Sequence, residues 1–262
     1  MNRTGPVLRV IVALVYCFIL APILIVLVVS FSSDTFIVFP PSGWSLRWYG
    51  ALFANPTLFE SFRYSLILAA VVMLLALACG LPAALLIARH SFPGRDALFG
   101  FFTMPLLLPT LVLALALLLA FSPYGLVATL PGLVLAHLTV TLPFVIRIMT
   151  TAFANLPRDV EEAAMTLGAS PALVFRRVTL PLAIPGIIAA SALAFLLSFD
   201  ETVISLFISG PRLQTLPVAI YHYVERRTDP AIAALSMLLI TGSIAIVMLV
   251  ERMVGVLRAV GR

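Results

Sequence analysis

Long apolar runs without any acidic or basic side chain dominate the chain. They extend over 10–33, 64–88, 97–146, 178–199 and 230–250. A helix needs about 20 apolar residues to cross a hydrocarbon layer of ~30 Å, and every run is long enough. With 62% hydrophobic and 10% charged residues, the chain has too little charge to cover the surface of a soluble domain. We therefore predict an integral membrane protein.

The run over 97–146 is about twice as long as one span requires. It is interrupted by Ser122-Pro123-Tyr124-Gly125 and by Pro131-Gly132, and we divide it into two spans. Pro105 and Pro109 predict a kinked or partly unwound first half. The predicted fold class is all-α, a single transmembrane domain (1–262) of six helices. They are expected at about 7–31, 62–88, 97–121, 132–151, 182–209 and 231–250.

All sixteen basic residues are arginines, and the six spans divide them eleven to five between the two sides. The larger group consists of Arg3, Arg9, Arg89, Arg95, Arg147, Arg158, Arg176, Arg177, Arg252, Arg258 and Arg262. Loops on the cytoplasmic side of a membrane carry the excess of basic residues. We therefore expect a multi-pass protein with both termini in the cytoplasm. Because the arginines are scattered, nucleic-acid binding is not indicated.

One polar segment, about 157–180, lies on the same side between the fourth and fifth spans and predicts two short helices. Pro157 suits the first turn of a helix, and Gly168 supplies a left-handed residue that ends it. Ser170-Pro171 begins a second helix, after which Leu180-Pro181 is expected to turn the chain back toward the membrane. An ordinary amphipathic loop would account for these features equally well.

The spacing of particular residues in this segment indicates more than a loop. Glu162-Ala163-Ala164, Gly168 and Val178-x-Leu180-Pro181 resemble the EAA loop of binding-protein-dependent ABC importer permeases, E-A-A-x3-G-x9-I-x-L-P, with Val in place of Ile. Further on, 198–201, 208–211 and 216–221 resemble the smaller permease of spermidine/putrescine-type importers.

The resemblance implies the type I ABC importer permease fold and a non-catalytic membrane subunit. It also implies four kinds of partner: a second homologous permease, a dimer of ATP-binding subunits, an extracytoplasmic solute-binding protein and membrane lipid. ATP and Mg²⁺ would be bound by the ATPase, with no cofactor on this chain. In agreement, a phosphate-binding P-loop needs a lysine and the chain has none.

In that family the loop docks in a groove of the ATPase and transmits its closure to the membrane helices. Glu162 would be the charged contact, Ala163 and Ala164 the close-packing surface, and Gly168 the bend. The full set of residues expected to couple to the ATPase is Glu161, Glu162, Ala163, Ala164, Gly168, Ala169, Leu180 and Pro181.

Two adjacent carboxylates, Asp200 and Glu201, interrupt the fifth span ~22 Å beyond Pro185 at ~1.5 Å per residue. A carboxylate in the hydrocarbon layer costs ~2.5 to 3.5 kcal/mol unless it faces water or a partner. One of the two could face a translocation cavity and attract a cationic solute. Alternatively, the pair contacts an arginine such as Arg63, or this end of the helix lies nearer the membrane surface than the estimate places it.

The candidate residues of a substrate path are Asp200, Glu201, Ser198, Thr202 and His137. Helix geometry lets only one of the two carboxylates face the path squarely, and the sequence does not decide which. His137 could equally be a functional group or a packed, hydrogen-bonded residue. Ser198 and Thr202 could line the path, but such side chains more often form hydrogen bonds between helices.

The predicted function is ATP-driven import of a small organic solute, a polyamine or a related amine or amino-acid derivative, across the inner membrane. The alternative is a secondary transporter driven by an ion gradient, which six helices and intramembrane carboxylates would also fit. Such folds usually have internal repeats, and this chain shows none. An intramembrane enzyme is not indicated, because the sequence has no His-Glu-x-x-His and no apparent Ser/His or paired-Asp constellation.

Overall fold

The computed structural model describes residues 5–260, so Arg3 and Arg262 of the charge count lie outside it. Its twelve helices are α1 (Pro6–Ser30), α2 (Arg47–Phe53), α3 (Pro56–Arg89), α4 (Arg95–Thr103), α5 (Thr110–Phe121), α6 (Leu130–Ala154), α7 (Arg158–Thr166), α8 (Pro171–Val174), α9 (Leu180–Asp200), α10 (Val203–Ile208), α11 (Leu216–Arg226) and α12 (Ala231–Val260).

Five stretches of helix among the described residues are long and apolar enough to cross a membrane, and a bent pair makes a sixth. Helices α3, α6 and α12 extend beyond the ranges 62–88, 132–151 and 231–250 expected from the sequence. The sequence estimate was limited by the thickness of the hydrocarbon layer. Helices continue past that layer because their own hydrogen bonds do not depend on it.

The expected helix 97–121 is broken in the structure. The stretches Arg95–Leu107 and Thr110–Tyr124 meet at an angle of 103°. Leu108 is extended, and Pro109 precedes the first turn of α5. Since proline disfavours helix in the residue before it and cannot donate a hydrogen bond, the predicted kink is confirmed as a full break.

The expected helix 182–209 is also interrupted. Helix α9 ends at Asp200, Glu201 has an extended backbone with ψ 103°, and α10 begins at Val203. At its other end α9 follows directly on a π-turn over Phe175–Thr179 and on α8. Leu180 and Pro181 therefore lie in the first turn of α9, and the expected turn of the chain at this point was wrong. Proline is accommodated there because the first turn needs no donor from it.

Two compact units are distinguished and are described separately. In the unit formed by Ser61–Val218 and 245–260, α6 packs against α3 and α9. Small residues permit this close approach: a Cβ at Gly80 would lie 2.7 Å from Val145 Cγ1, and one at Gly186 would lie 2.8 Å from Ala152 Cβ. A second cluster of the same unit buries Leu68, Leu133, Ile204 and Ile208. It anchors α10 in the protein interior, where a broken helix is tolerated.

The other unit comprises 5–60 and Ala219–Ile244. Asp34 organises its segment between α1 and α2. The Asp34 carboxylate accepts hydrogen bonds from the Ser32 hydroxyl (2.9 Å), the Ser42 hydroxyl and the Ser42 backbone N–H (3.0 Å). Its carbonyl accepts from Trp48 Nε1 at 3.2 Å. Hydrogen bonds from Ser42 are the main cause that holds the pKa of Asp34 below its usual value.

Candidate functional site

Helices α7 and α8, here called the polar helix pair, are joined by a tight left-handed turn. Gly168 has φ +87°, which an L side chain adopts only with strain. The backbone N–H groups of Gly168 and Ala169 donate to the carbonyls of Met165 (2.9 Å) and Ala164 (3.1 Å). The Ser170 hydroxyl accepts from the Leu173 N–H, which caps α8 as expected. The bend expected at Gly168 is present.

The two glutamates of α7 point in different directions. Glu161 contacts this chain: its Oε1 lies 2.9 Å from Arg89 Nη2 and accepts a hydrogen bond from the Thr179 hydroxyl at 2.8 Å. Glu162 is exposed, and its carboxylate has no hydrogen bond or ion pair within residues 5–260. Adjacent residues on a helix point about 100° apart, which separates the two side chains.

Most of the surface of α7 is exposed, and the Glu162 carboxylate lies on a different side of the helix from the apolar residues. Ala163 and Val160 are exposed, and Leu167 exposes 89% of its surface. These residues recur at the spacing of one helix face. Ala164 and Ala169 are partly buried, while Pro181 is exposed and Leu180 is partly buried in the first turn of α9. The exposed face of α7 is thus a surface that this chain leaves uncovered.

At the break between α9 and α10, the carboxylates of Asp200 and Glu201 again differ. Glu201 Oε1 accepts the backbone N–H of Ile204 at 3.1 Å and so caps α10. Asp200 is exposed, and its carboxylate has no partner anywhere in the described part of the chain, Arg63 included. The Thr202 hydroxyl donates to the Asp200 carbonyl at 3.2 Å. Among the described residues the alternative ion pair with Arg63 is absent, and α9 ends at Asp200.

Aromatic rings surround the last turn of α9. Phe199 stacks on Phe195 with ring centroids 6.0 Å apart and an interplanar angle of 12°. Phe199 also meets Phe62 of α3 edge to face at 6.1 Å. This small aromatic cluster thus ends one residue before Asp200.

His137 is buried, with 1% of its surface exposed, and links α6 to both sides of the helix break. Its Nδ1 lies 3.0 Å from Ser198 Oγ and its Nε2 lies 2.9 Å from Ser205 Oγ. Because the Ser205 hydroxyl donates to the Glu201 carbonyl at 2.7 Å, its oxygen accepts the Nε2–H, and Nδ1 accepts from Ser198. The result is a continuous chain of hydrogen bonds from Ser198 to the carbonyl freed by the break.

The structure thus brings His137 and Ser198 into contact. It gives the two carboxylates different surroundings, because Glu201 accepts a backbone hydrogen bond and Asp200 has no partner among the described residues. Sequence reasoning did not identify Arg89 and Thr179 as partners of Glu161. A signal was present for Arg89, because it is the basic residue that ends the second apolar run. No local signal distinguishes Thr179, whose contact with Glu161 bridges 18 positions.

Comparison with known proteins gives agreement in both sequence and fold. The chain is 36% identical over 245 residues to the putrescine transport system permease protein PotI of Escherichia coli K12, covering 91% of this chain and 86% of that protein. It is 33% identical over 235 residues to the spermidine/putrescine transport system permease protein PotC of Haemophilus influenzae, covering 90% and 91%.

Among solved structures, the bacterial alginate ABC transporter in complex with an alginate pentasaccharide-bound periplasmic protein contains a similar chain. The TM-score is 0.74 at 15% identity, covering 94% of this chain and 92% of that one. The likeness establishes the fold, which is the all-α type I ABC importer permease fold. Residues 80–257 match the family model described as binding-protein-dependent transport system inner membrane component. The chain belongs to this family of inner membrane components of binding-protein-dependent transport systems.

Proposed function

We propose that this chain is the permease subunit of an ATP-driven importer whose solute is a polyamine or a related small cationic amine. The observation that carries the proposal is the polar helix pair with its uncovered face. Ala163 and Leu167 present a small close-packing surface and a large apolar side chain on one side of α7, and the free Glu162 carboxylate lies about 100° around the helix from Ala163. Such a face has the character of an interface core with a charged contact beside it.

The partner for this face would be an ATP-binding subunit, with ATP and Mg²⁺ bound there and none on this chain. Two ATP-binding subunits, a second homologous permease and an extracytoplasmic solute-binding protein would complete the importer. Both termini and the polar helix pair would then lie in the cytoplasm, in keeping with the eleven-to-five distribution of arginines. Ala164, Gly168, Ala169, Leu180 and Pro181 would support the docked helix pair from behind.

The polyamine assignment rests on two arguments. The two relatives compared above carry putrescine or spermidine/putrescine in their names. In addition, Asp200 offers an exposed carboxylate, without a partner among the described residues, at the end of the helix turn that carries Phe199. Carboxylates and aromatic faces are the groups that attract organic ammonium ions. In this proposal Asp200 meets the solute, whereas Glu201, Thr202, Ser198 and His137 shape the break that positions it.

The docking role is tested with the complete importer purified in lipid. Glu162→Arg is expected to abolish copurification of the ATPase or its stimulation by the loaded binding protein, because it reverses an exposed charge of α7 that has no partner among the described residues. Asp96→Asn is the matched control, since Asp96 is an exposed carboxylate in the first turn of α4. A Glu162→Arg complex that assembles and retains stimulated ATP hydrolysis would contradict the docking role. Uptake by the wild type without any ATPase would instead favour an ion-gradient mechanism.

The solute role is tested with Asp200→Asn in uptake of labelled putrescine. A hydrogen bond to a charged group contributes ~1.5 to 3 kcal/mol, so the half-saturating concentration should rise about ten-fold or more. Asp96→Asn should leave that concentration unchanged. Wild-type uptake kinetics in an assembled Asp200→Asn importer would remove Asp200 from the substrate path.

A further inference from the structure

The base of the polar helix pair is tied to the membrane helices by a largely buried ion pair. Arg89 is the last residue of α3, and Glu161 lies in the first turn of α7. Arg89 Nη2 and Glu161 Oε1 are 2.9 Å apart, and only 9% and 15% of the two side chains are exposed. The contact spans 72 positions of the sequence, so it joins two separate elements rather than supporting a local turn.

Further hydrogen bonds connect this ion pair to the ends of other spans. Thr179 directly precedes α9 and is buried, with 4% of its surface exposed. Its hydroxyl donates to the same Glu161 oxygen at 2.8 Å. Arg89 also donates to the Leu156 carbonyl, just beyond the end of α6, at 3.4 Å. Arg158 of α7 donates to the Ala88 carbonyl at 3.3 Å. The ends of α3, α6 and α9 are therefore all connected to the base of α7.

The composition of this cluster argues against stability as its sole role. Burying an ion pair gains little stability over apolar packing of the same volume, because both charges lose their hydration. Arg89 Nε is buried without a hydrogen-bond partner in the described part of the chain, which adds a further cost. The cluster does provide a connection between α7 and the membrane helices. Separating the two partners would leave each charge buried without its counter-charge, so moving α7 away from these helices costs free energy.

We propose that Arg89, Glu161 and Thr179 form a clamp that makes α7 move together with α3 and α9, so that motion of a docked ATPase is passed to the membrane helices. This inference rests on the proposed function and deepens it. Glu162 and Glu161 then divide the work: Glu162 faces the ATPase, and Glu161 is a positioning residue that holds the docked helix to the spans. Loss of the clamp leaves docking intact and disconnects ATP hydrolysis from transport.

The measured quantity is the number of putrescine molecules imported per ATP hydrolysed by the complete importer in proteoliposomes. Couplings between sites typically amount to about 5- to 150-fold, and we expect Glu161→Ala to lower this ratio about five- to ten-fold. The ATPase should still copurify, and its rate should remain within about two-fold of the wild type. Asp159→Asn is the matched control, because Asp159 is an exposed carboxylate of the same helix turn. Its ratio should equal that of the wild type.

Two further variants separate a clamp from a general need for folding. Thr179→Val removes only the hydroxyl donor to Glu161 and should lower the ratio less than Glu161→Ala does. The exchange Arg89→Glu with Glu161→Arg restores opposite charges and should recover part of the ratio lost in either single variant. If Glu161→Ala does not accumulate, the number of putrescine molecules imported per ATP in Thr179→Val and in the charge exchange tests the clamp instead.

The outcomes are distinguishable. The clamp is overturned if the wild-type importer couples uptake to ATP hydrolysis and Glu161→Ala, or the variants that replace it, imports as many putrescine molecules per ATP as the wild type. The proposed function then still stands. Loss of ATPase copurification in Glu161→Ala together with wild-type coupling in Thr179→Val also overturns it, because Glu161 would then be a docking residue. A wild-type complex without ATP-dependent putrescine uptake overturns the proposed function itself, and the clamp falls with it.

Discussion

The hydrogen-bond chain through His137 makes a quantitative prediction about Ser205. Its hydroxyl accepts the imidazole Nε2–H and donates to the Glu201 carbonyl, so Ser205→Ala removes two hydrogen bonds. Ser198→Ala removes one, the bond to Nδ1. Ser205 is fully buried and Ser198 is 3% exposed, so water does not replace the lost partners freely. Ser205→Ala is therefore expected to be the more destabilising change.

The magnitude follows from values measured in membrane proteins. Side-chain hydrogen bonds between membrane helices average ~0.6 kcal/mol and reach ~1.7 kcal/mol. Two bonds give ~1.2 kcal/mol as the expected loss for Ser205→Ala, with ~3.4 kcal/mol as an upper bound, and one bond gives ~0.6 kcal/mol for Ser198→Ala. At ~2 to 4 °C per kcal/mol for a chain of this size, the apparent Tm should fall ~2 to 5 °C and ~1 to 2 °C respectively.

The assay is thermal unfolding of the purified protein in one detergent, with Ser191→Ala as the matched control. Ser191 also lies on α9, but its hydroxyl only donates to the Ile187 carbonyl of its own helix at 2.6 Å. Removing such a bond should leave the apparent Tm nearly unchanged, because the carbonyl keeps its helical donor. An equal or larger fall of Tm in Ser198→Ala than in Ser205→Ala would refute the deduced direction of the hydrogen bonds.

Three further predictions concern other parts of the chain. Gly186→Ala should destabilise the protein by about 1 to 3 kcal/mol in the same unfolding assay, because the new Cβ would lie 2.8 Å from Ala152 Cβ; an unchanged Tm would contradict the close packing. Gly168→Ala should add about 1 to 2 kcal/mol of backbone strain and speed proteolysis at the turn. Gly168→Asn should cause less strain and slower cleavage than Gly168→Ala, and equal cleavage rates of the two variants would contradict the left-handed turn. The lowered pKa of Asp34 means that its stabilisation of the segment between α1 and α2 is complete above about pH 4 and is lost as the pH falls through the folded-state value. Fluorescence of Trp48, whose Nε1 donates to Asp34, should follow this change, and a transition at neutral pH would refute the assignment.

The sequence was sufficient for features that depend on short-range rules. Apolar runs of spanning length located the membrane helices, Pro105 and Pro109 located the break in the third span, and Gly168 located the left-handed turn. Each of these rests on the conformational limits of one residue type or on the length of a run. The course of the chain after α8 was missed because proline at 181 fits the first turn of a helix as well as it fits a turn between helices.

Long-range contacts could not be obtained in the same way. Carboxylates in an apolar run are explained by an ion pair, by a cavity or by a helix end nearer the membrane surface. Among the described residues Asp200 has no ion pair, and α9 ends there, where Glu201 caps α10 and where Ile204 and Ile208 fix α10 in the protein interior. None of these contacts follows from local pattern, because each depends on which helices become neighbours.

Two pairs of adjacent carboxylates, 161–162 and 200–201, share one arrangement. In each pair one member, Glu161 or Glu201, is engaged by a donor of this chain, and the other is exposed without a partner among residues 5–260. Glu161 and Glu162 point about 100° apart on α7, and Glu201 lies beyond the end of α9 at Asp200. Glu161 connects α7 to other helices and Glu201 caps α10, whereas the free member of each pair remains available to something outside the chain. Variants of Glu161 and Glu201 should therefore act through the shape of this subunit, whereas variants of Glu162 and Asp200 should act through what it binds.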